Sequence, residues 1–477
     1  MKVAVIGGGW AGLAAAFHLH RAGVDATVFE AARTLGGRAR AVYSPGLESI
    51  IDNGQHILLG AYTETLALMQ DLGIDLDSVL YRQALSLRAA DGSFTLQAPD
   101  LPAPFHLLGA IVCAHGLSLT ERWQLIAINR RLQKNGWQTP SGWTVAQWLK
   151  NERQSDPIVR RFWQPLCIAA LNTPIDQACA QILANVLRDS LGGPKASSDT
   201  LIPRVDLTTL WPARLPSAIA TRPGHAVRRL EQHATHIKVD DECYDAVIVA
   251  TNAPSAHRLL KQLDVPESRS MPDLPAAAHT GHGADEKRRW LAAMAAFSYI
   301  PIATVTVTLE APWRLPHPML MLTEAPAQGQ FGQWLFDRSV FMNDSAANRH
   351  NPSPDHDRRR GALGKQTEHT TLTVVVSDAQ ALSEWPRQQV IDGVIAQVQE
   401  QTRRFTTMPA IIGHELIVEK RATFAAVPHL QRPGNATPWP RVWVAGDWTD
   451  TGYPAVLEGA VRSGKTAGRQ LLQSRTS

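Results

Sequence analysis

Gly7, Gly9 and Gly12 stand at the spacing G-x-G-x-x-G inside "VAVIGGGWAGLAAAF", and Glu30 follows 18 residues after Gly12. These types at this spacing suit one kind of chemistry, the holding of a dinucleotide. The first glycine permits a tight turn, the second lets the backbone approach a pyrophosphate, and the third brings helix close to strand. The amides that open a helix after such a turn carry partial positive charge toward the phosphates. An acid about 20 residues further on accepts hydrogen bonds from ribose hydroxyls.

Glycines at turns are common, so the elements around them decide the reading. Val3 to Ile6 is a short, apolar run suited to a strand covered on both faces. From Ala11 to Arg21 small and apolar residues predict a helix, Gly23 a C-cap, and "DATVFEA" a second strand ending at Glu30. Strand, glycines, helix, strand and acid thus fall in order within the first 30 residues. The glycines and the charged "HLHRAG" also argue against a secretory signal here.

At 477 residues the chain is long enough for two or three domains. Its net charge of +4, from 47 basic and 43 acidic residues, excludes an electrostatic nucleic-acid binder but is compatible with an anionic membrane surface. Cys113, Cys167, Cys179 and Cys243 show no C-x-x-C or zinc spacing, which predicts unpaired thiols in a reducing cytoplasm and no metal site. No stretch reaches the roughly 18 to 20 apolar residues of a membrane span. Leu101 to Leu119 comes nearest and reads either as a buried core helix or as an interfacial segment touching one leaflet through Leu107 and Ile111.

No internal repeat is visible. Ser268 to Arg289 and Met342 to His369 are polar, rich in Pro, Gly and His, and read as exposed loops whose histidines bind no metal. Leu119 to Leu191 is mostly helical in period, whereas "IATVTVTL" and "TLTVVVS" alternate as strands. The nucleotide theme returns twice. Ala246 to Ala250 is a buried strand, and Val442 to Ala445 is another, followed by Gly446, Asp447 and a long helix with small residues on one face. The nucleotide domain is therefore discontinuous. We place it at residues 1–75, 205–265 and 410–477, with a substrate domain at 76–204 and 266–409.

The glycine turn together with "ARTLGGRAR", "IDNGQH", "DAVIVAT" and "VAGDW…GYPAVLEGAVRSG" resembles the flavin amine oxidase and phytoene desaturase superfamily over essentially the whole chain. Within it, "DNGQHILLGAYTETLALMQDLG" and "IPRVDLTTLWPARLP" are similar to the hydroxysqualene dehydroxylases. The resemblance implies an α/β, Rossmann-like FAD-binding domain with an α+β substrate domain. It also implies that Gly7, Gly9 and Gly12 hold the FAD pyrophosphate, Glu30 the adenosine ribose, and Val227 the adenine. Gly36, Gly37 and Arg38 would pass beside the phosphates or flavin, and Gly54, Gln55 and His56 would lie near the ring. Gly446 and Asp447 would meet the ribityl or pyrophosphate region, unless Asp447 is a helix cap. Backbone near Val456 and Leu457 would reach the pyrimidine edge. No cysteine follows Cys243, so the FAD is expected to be noncovalent.

The reaction so implied is reductive removal of the hydroxyl of hydroxysqualene, an allylic alcohol, to give squalene. A poor leaving group must be protonated, a hydride must reach the carbon, and water must be kept out. His56 is either the proton donor or a structural histidine, Tyr453 either faces the flavin or packs in the core, and Asp52 reads as structural. The partners expected are a lipophilic isoprenoid, an unidentified electron donor, and the inner face of a membrane touched peripherally from the cytoplasm. Two rivals stand beside this reading. An oxidative desaturase or amine oxidase would take hydride from its substrate, and a prenyl-binding carrier would need no flavin contacts at all.

Overall fold

The computed structural model describes residues 1–264, 282–341 and 369–474. The opening apolar run forms Lys2–Ile6, the middle strand of a five-stranded parallel sheet. The order is Ala220–Pro223, Asp25–Glu30, Lys2–Ile6, Ala246–Val249 and Val442–Val444. Val3, Ala4 and Val5 are fully buried, as a strand covered on both faces requires. The helix Trp10–Arg21 follows the glycine turn, and Gly23, at φ 73°, donates back to the His20 carbonyl to close it.

The C-terminal helix Leu457–Gln473 lies against this first helix through its small residues. A Cβ added at Gly464 would stand 2.1 Å from the Ala11 carbonyl oxygen, so only hydrogen fits there. The end of the chain is thereby fixed onto its beginning.

A second five-stranded sheet is antiparallel, in the order Met319–Met321, Trp334–Asp337, Thr370–Val376, Tyr299–Leu309 and Ile411–Phe424. Its side chains alternate between two environments, as the period of a strand dictates. Val305, Leu335 and Val374 pack with Val390, Val394 and Val398 of the helix Arg387–Thr402. Thr304, Trp334, Phe336 and Val375 point the other way and line a large cavity. The far wall is helical, from Leu119–Lys134, Gln164–Leu171 and Ala180–Leu191. The first of these starts at a capping box, Ser118 with Glu121.

Several expectations change. Ile411–Phe424, placed above with the nucleotide segments, is an edge strand of the antiparallel sheet. The loop expected over Ser268 to Arg289 gives way to a helix, His282–Ala295, because "DEKRRWLAAMA" is made of strong helix formers and offers Met294 to the core. The remainder of that stretch and residues 342–368 lie outside the described residues. Leu101 to Leu119 contains only one short helix, Phe105–Val112, ended by Cys113 and a bridge from His115 to Thr95. Leu107 is buried and Ile111 half-buried, so the two residues expected to touch a membrane face inward. All four cysteines are free thiols.

Candidate active site

The turn after the first strand is built as its glycines demand. Gly7 has φ 114°, and a Cβ there would lie 2.6 Å from the Ala250 oxygen. The second glycine turn, Gly36–Gly37, runs alongside it: the Gly36 amide donates to the Gly8 carbonyl at 2.8 Å, and a Cβ on Gly37 would lie 2.9 Å from the Gly9 Cα. Gly7, Gly9, Gly36 and Gly37 all border the cavity, leaving a groove of bare backbone where a pyrophosphate can approach. Gly12 stands one turn into the helix, packed against the Gly7 carbonyl. Glu30 borders the same groove, with its carboxylate accepting from the Gly8 amide at 2.6 Å and the Ala32 amide at 2.7 Å. Each oxygen keeps a further lone pair for a diol. Val227, buried, closes this end.

Arg38 and Asp447, foreseen as two separate contacts, are one ion pair of 2.6 Å. The other arm of the Arg38 guanidinium donates to the Ala422 carbonyl, tying the second glycine turn to the antiparallel sheet. Asp447 is therefore no helix cap. The last helix begins at Leu457 with Val456 as its N-cap, and both line the cavity. The first amides of a helix have no partner within it. Gly446 is held by donation of its amide to the Ser463 hydroxyl at 2.9 Å.

Asp52, Gly54, Gln55 and His56 are organised by a residue that sequence reasoning did not find. Arg338 donates to Asp52 at 2.9 Å and to the Gln55 side-chain oxygen at 2.8 Å. Asp52 also accepts from the Leu207 amide, which confirms it as a framework residue. His56 Nδ1 lies 2.8 Å from the Gly54 carbonyl, which can only accept, so Nδ1 carries the proton and Nε2 is left for the cavity. Burial depresses the His56 pKa below its ordinary value, although the Gly54 carbonyl and Asp52 oppose the shift.

Tyr453 also borders the cavity, and its hydroxyl donates to Asp189, which sequence reading passed over as one polar position in an amphipathic helix. Burial and this hydrogen bond push the tyrosine pKa up. At Asp189 burial also pushes the pKa up, yet hydrogen bonds from Arg188 and Tyr453 prevail and hold the carboxyl below its usual range. Arg432 was missed too. Its guanidinium donates to the carbonyls of Asp447, Trp448, Thr449 and Tyr453, so one side chain shapes the whole loop between Gly446 and the last helix. No local signal marks Arg338, Asp189 or Arg432; the contacts of Arg338 with Asp52 and of Asp189 with Tyr453 join positions distant in sequence.

One cavity of about 890 Å³ is bordered by both glycine turns, Glu30, Arg38, His56, Asp189, Asp447 and Tyr453. Its other end is apolar, walled by Leu107, Leu125, Ile128, Phe162, Leu183 and Trp334 among others. Among the described residues no cluster of His, Cys, Asp or Glu is arranged to hold a metal ion. The groove of bare backbone thus opens into an apolar chamber with few polar groups.

Comparison with known proteins places this geometry. Residues 10–150 and 214–472 match the family of flavin-containing amine oxidoreductases. The chain belongs to that family. It is an FAD-dependent oxidoreductase, which removes the carrier reading. The flavoenzyme is 27% identical to a hydroxysqualene dehydroxylase of Rhodopseudomonas palustris over 98% of its own chain and 97% of that one. A second hydroxysqualene dehydroxylase, from Sinorhizobium fredii, is 24% identical over 98% and 97%. Among solved structures, cyclohexylamine oxidase from Brevibacterium oxydans superposes with a TM-score of 0.64 at 16% identity, covering 100% of this chain and 99% of the other, a likeness of fold.

Proposed function

We propose that this flavoenzyme converts hydroxysqualene to squalene, replacing the allylic hydroxyl by hydride and releasing it as water. The observation that carries the reading is the single cavity that leads from the glycine groove into an apolar chamber, in a chain similar along its length to proteins named for this activity. FAD, bound noncovalently and reduced by an electron donor outside this chain, would supply the hydride and be left oxidised.

The residues present fit that cofactor. Gly7, Gly9, Gly36 and Gly37 would leave room for the pyrophosphate, with Gly12 letting the helix close on that turn, while Glu30 would offer lone pairs to the ribose and Val227 would pack beside the adenine. The Arg38–Asp447 pair would lie along the phosphate and ribityl stretch, and the amides after Val456 and Leu457 would face the pyrimidine edge. His56 Nε2, protonated, delivers the proton that lets hydroxide leave as water. Tyr453, its hydroxyl committed to Asp189, shapes the chamber wall beside the reacting carbon. The aliphatic walls exclude water from a carbon that would otherwise capture it.

The test is anaerobic mixing of photoreduced enzyme with hydroxysqualene, following flavin absorbance and product. Reoxidation with squalene formed, and deuterium from labelled reduced flavin found in it, is the expected result. Bleaching of oxidised enzyme by squalene, a carotenoid precursor or an amine, with hydroxysqualene inert toward reduced enzyme, would replace this reading by an oxidative one.

A further inference from the structure

The helix Phe105–Val112 has two apolar faces. Leu107 and Ile111 turn inward and line the chamber. Phe105, Leu108 and Val112, three and four residues apart, are 58%, 41% and 50% exposed. The next helix adds Leu119 and Trp123, exposed by 73% and 66%. The two pieces form one patch, because Arg122 donates to the carbonyls of Val112 at 2.7 Å and Ala114 at 2.8 Å and so seats the start of the second helix on the end of the first. Water-soluble monomers rarely leave so much contiguous apolar surface uncovered.

We infer that this patch docks on an anionic bilayer and makes Phe105–Val112 the wall across which a membrane-dissolved hydrocarbon reaches the chamber. The inference rests on the substrate class proposed above. Charge names the occupant. Residues 101–134 carry Arg122, Arg130, Arg131 and Lys134 against one acid, Glu121, which is buried in its capping box; Arg131 is paired with Glu152 and the exposed Asp100 with Lys195, and Arg161 donates to the Gly116 carbonyl at the same rim. A cationic border around an apolar face suits anionic headgroups over acyl chains, with Trp123 at the boundary. An eight-residue helix, about 12 Å long, lies in a leaflet and does not cross it. No helix among the described residues is long and apolar enough to span.

The experiment is flotation of the FAD-loaded enzyme with phosphatidylcholine vesicles, with and without phosphatidylglycerol. It compares wild type with Phe105→Ser/Trp123→Ser and, separately, Leu108→Asp; flavin absorbance and melting temperature report folding. Wild type should float with phosphatidylglycerol vesicles and less so at high salt, and the variants' partition should fall roughly 10- to 100-fold. Turnover of vesicle-borne hydroxysqualene should fall with it, while turnover of detergent-dispersed substrate stays unchanged. Wild type that does not float, or folded variants that float equally, overturns the inference. So does a wild-type dimer that the variants abolish without any flotation, since the patch would then bind a second copy of this chain. Patch-dependent flotation by an enzyme inert toward hydroxysqualene upholds the docking and removes the substrate reading alone.

Discussion

A half-buried histidine whose surroundings disfavour its charge, and which is asked to give up a proton, should leave a mark on the pH profile. Burial lowers the His56 pKa below 6.5, so the protonated form gains population only as pH falls through that depressed value. If His56 is the donor, kcat for hydroxysqualene should rise as pH drops below neutrality. His56→Gln should be slower by roughly 10²- to 10⁴-fold and flat over the same range. A flat wild-type profile, measured in single turnovers, would take the proton from another group. Arg38 allows a second measurement at this scale. Its charge-assisted bonds tie Asp447 and the Ala422 carbonyl to the second glycine turn, so Arg38→Ala should weaken FAD binding by about 1.5–3 kcal/mol, or roughly 10- to 100-fold in Kd by flavin titration. Glu30→Ala, losing the bonds from the Gly8 and Ala32 amides and the lone pairs offered to the ribose, should also lower FAD affinity. Equal, full flavin retention in both would discard the proposed cofactor contacts.

Elements carry a different kind of prediction. The contact of the first and last helices depends on Gly464, and Gly464→Val places branched carbon where 2.1 Å is available for one. The helices must part, which should lower stability by about 1–3 kcal/mol or more and cut flavin content in the purified protein, read by calorimetry and absorbance. The first 30 residues were legible because everything that defines them is local: strand period, turn glycines, helix and acid. The strands at Ala246–Val249 and Val442–Val444 showed in sequence for the same reason, as short apolar runs between breakers. His282–Ala295 did not, because Pro, Gly and His ahead of it masked a run of good helix formers. Nor could local pattern join Arg338 to Asp52, Arg432 to the loop after Gly446, or Tyr453 to Asp189, since those partners meet only when two sheets and a helical layer have assembled. Asp447 was visible only by resemblance, and its pairing with Arg38 not at all.

At the scale of the whole molecule, the cavity separates two tasks that a mutation can address one at a time. Ile128 and Leu183 line the apolar end, on helices of the far wall. Ile128→Trp should fill part of the chamber, raise KM for hydroxysqualene by roughly tenfold or more, and leave flavin content and spectrum unchanged. Coupled loss of flavin would show that the two ends are not independent. The sheet order has a further consequence, for the order of events during synthesis. Arg38 and Asp447 are 409 residues apart, and the strand Val442–Val444 and the helix after it complete a sheet begun at Lys2. The ribosome therefore exposes the glycine groove long before the chain that closes it exists. Stable flavin capture should wait for the segment from residue 442 onward, and nascent chains stalled before residue 442 should retain no FAD however much of the first sheet they display.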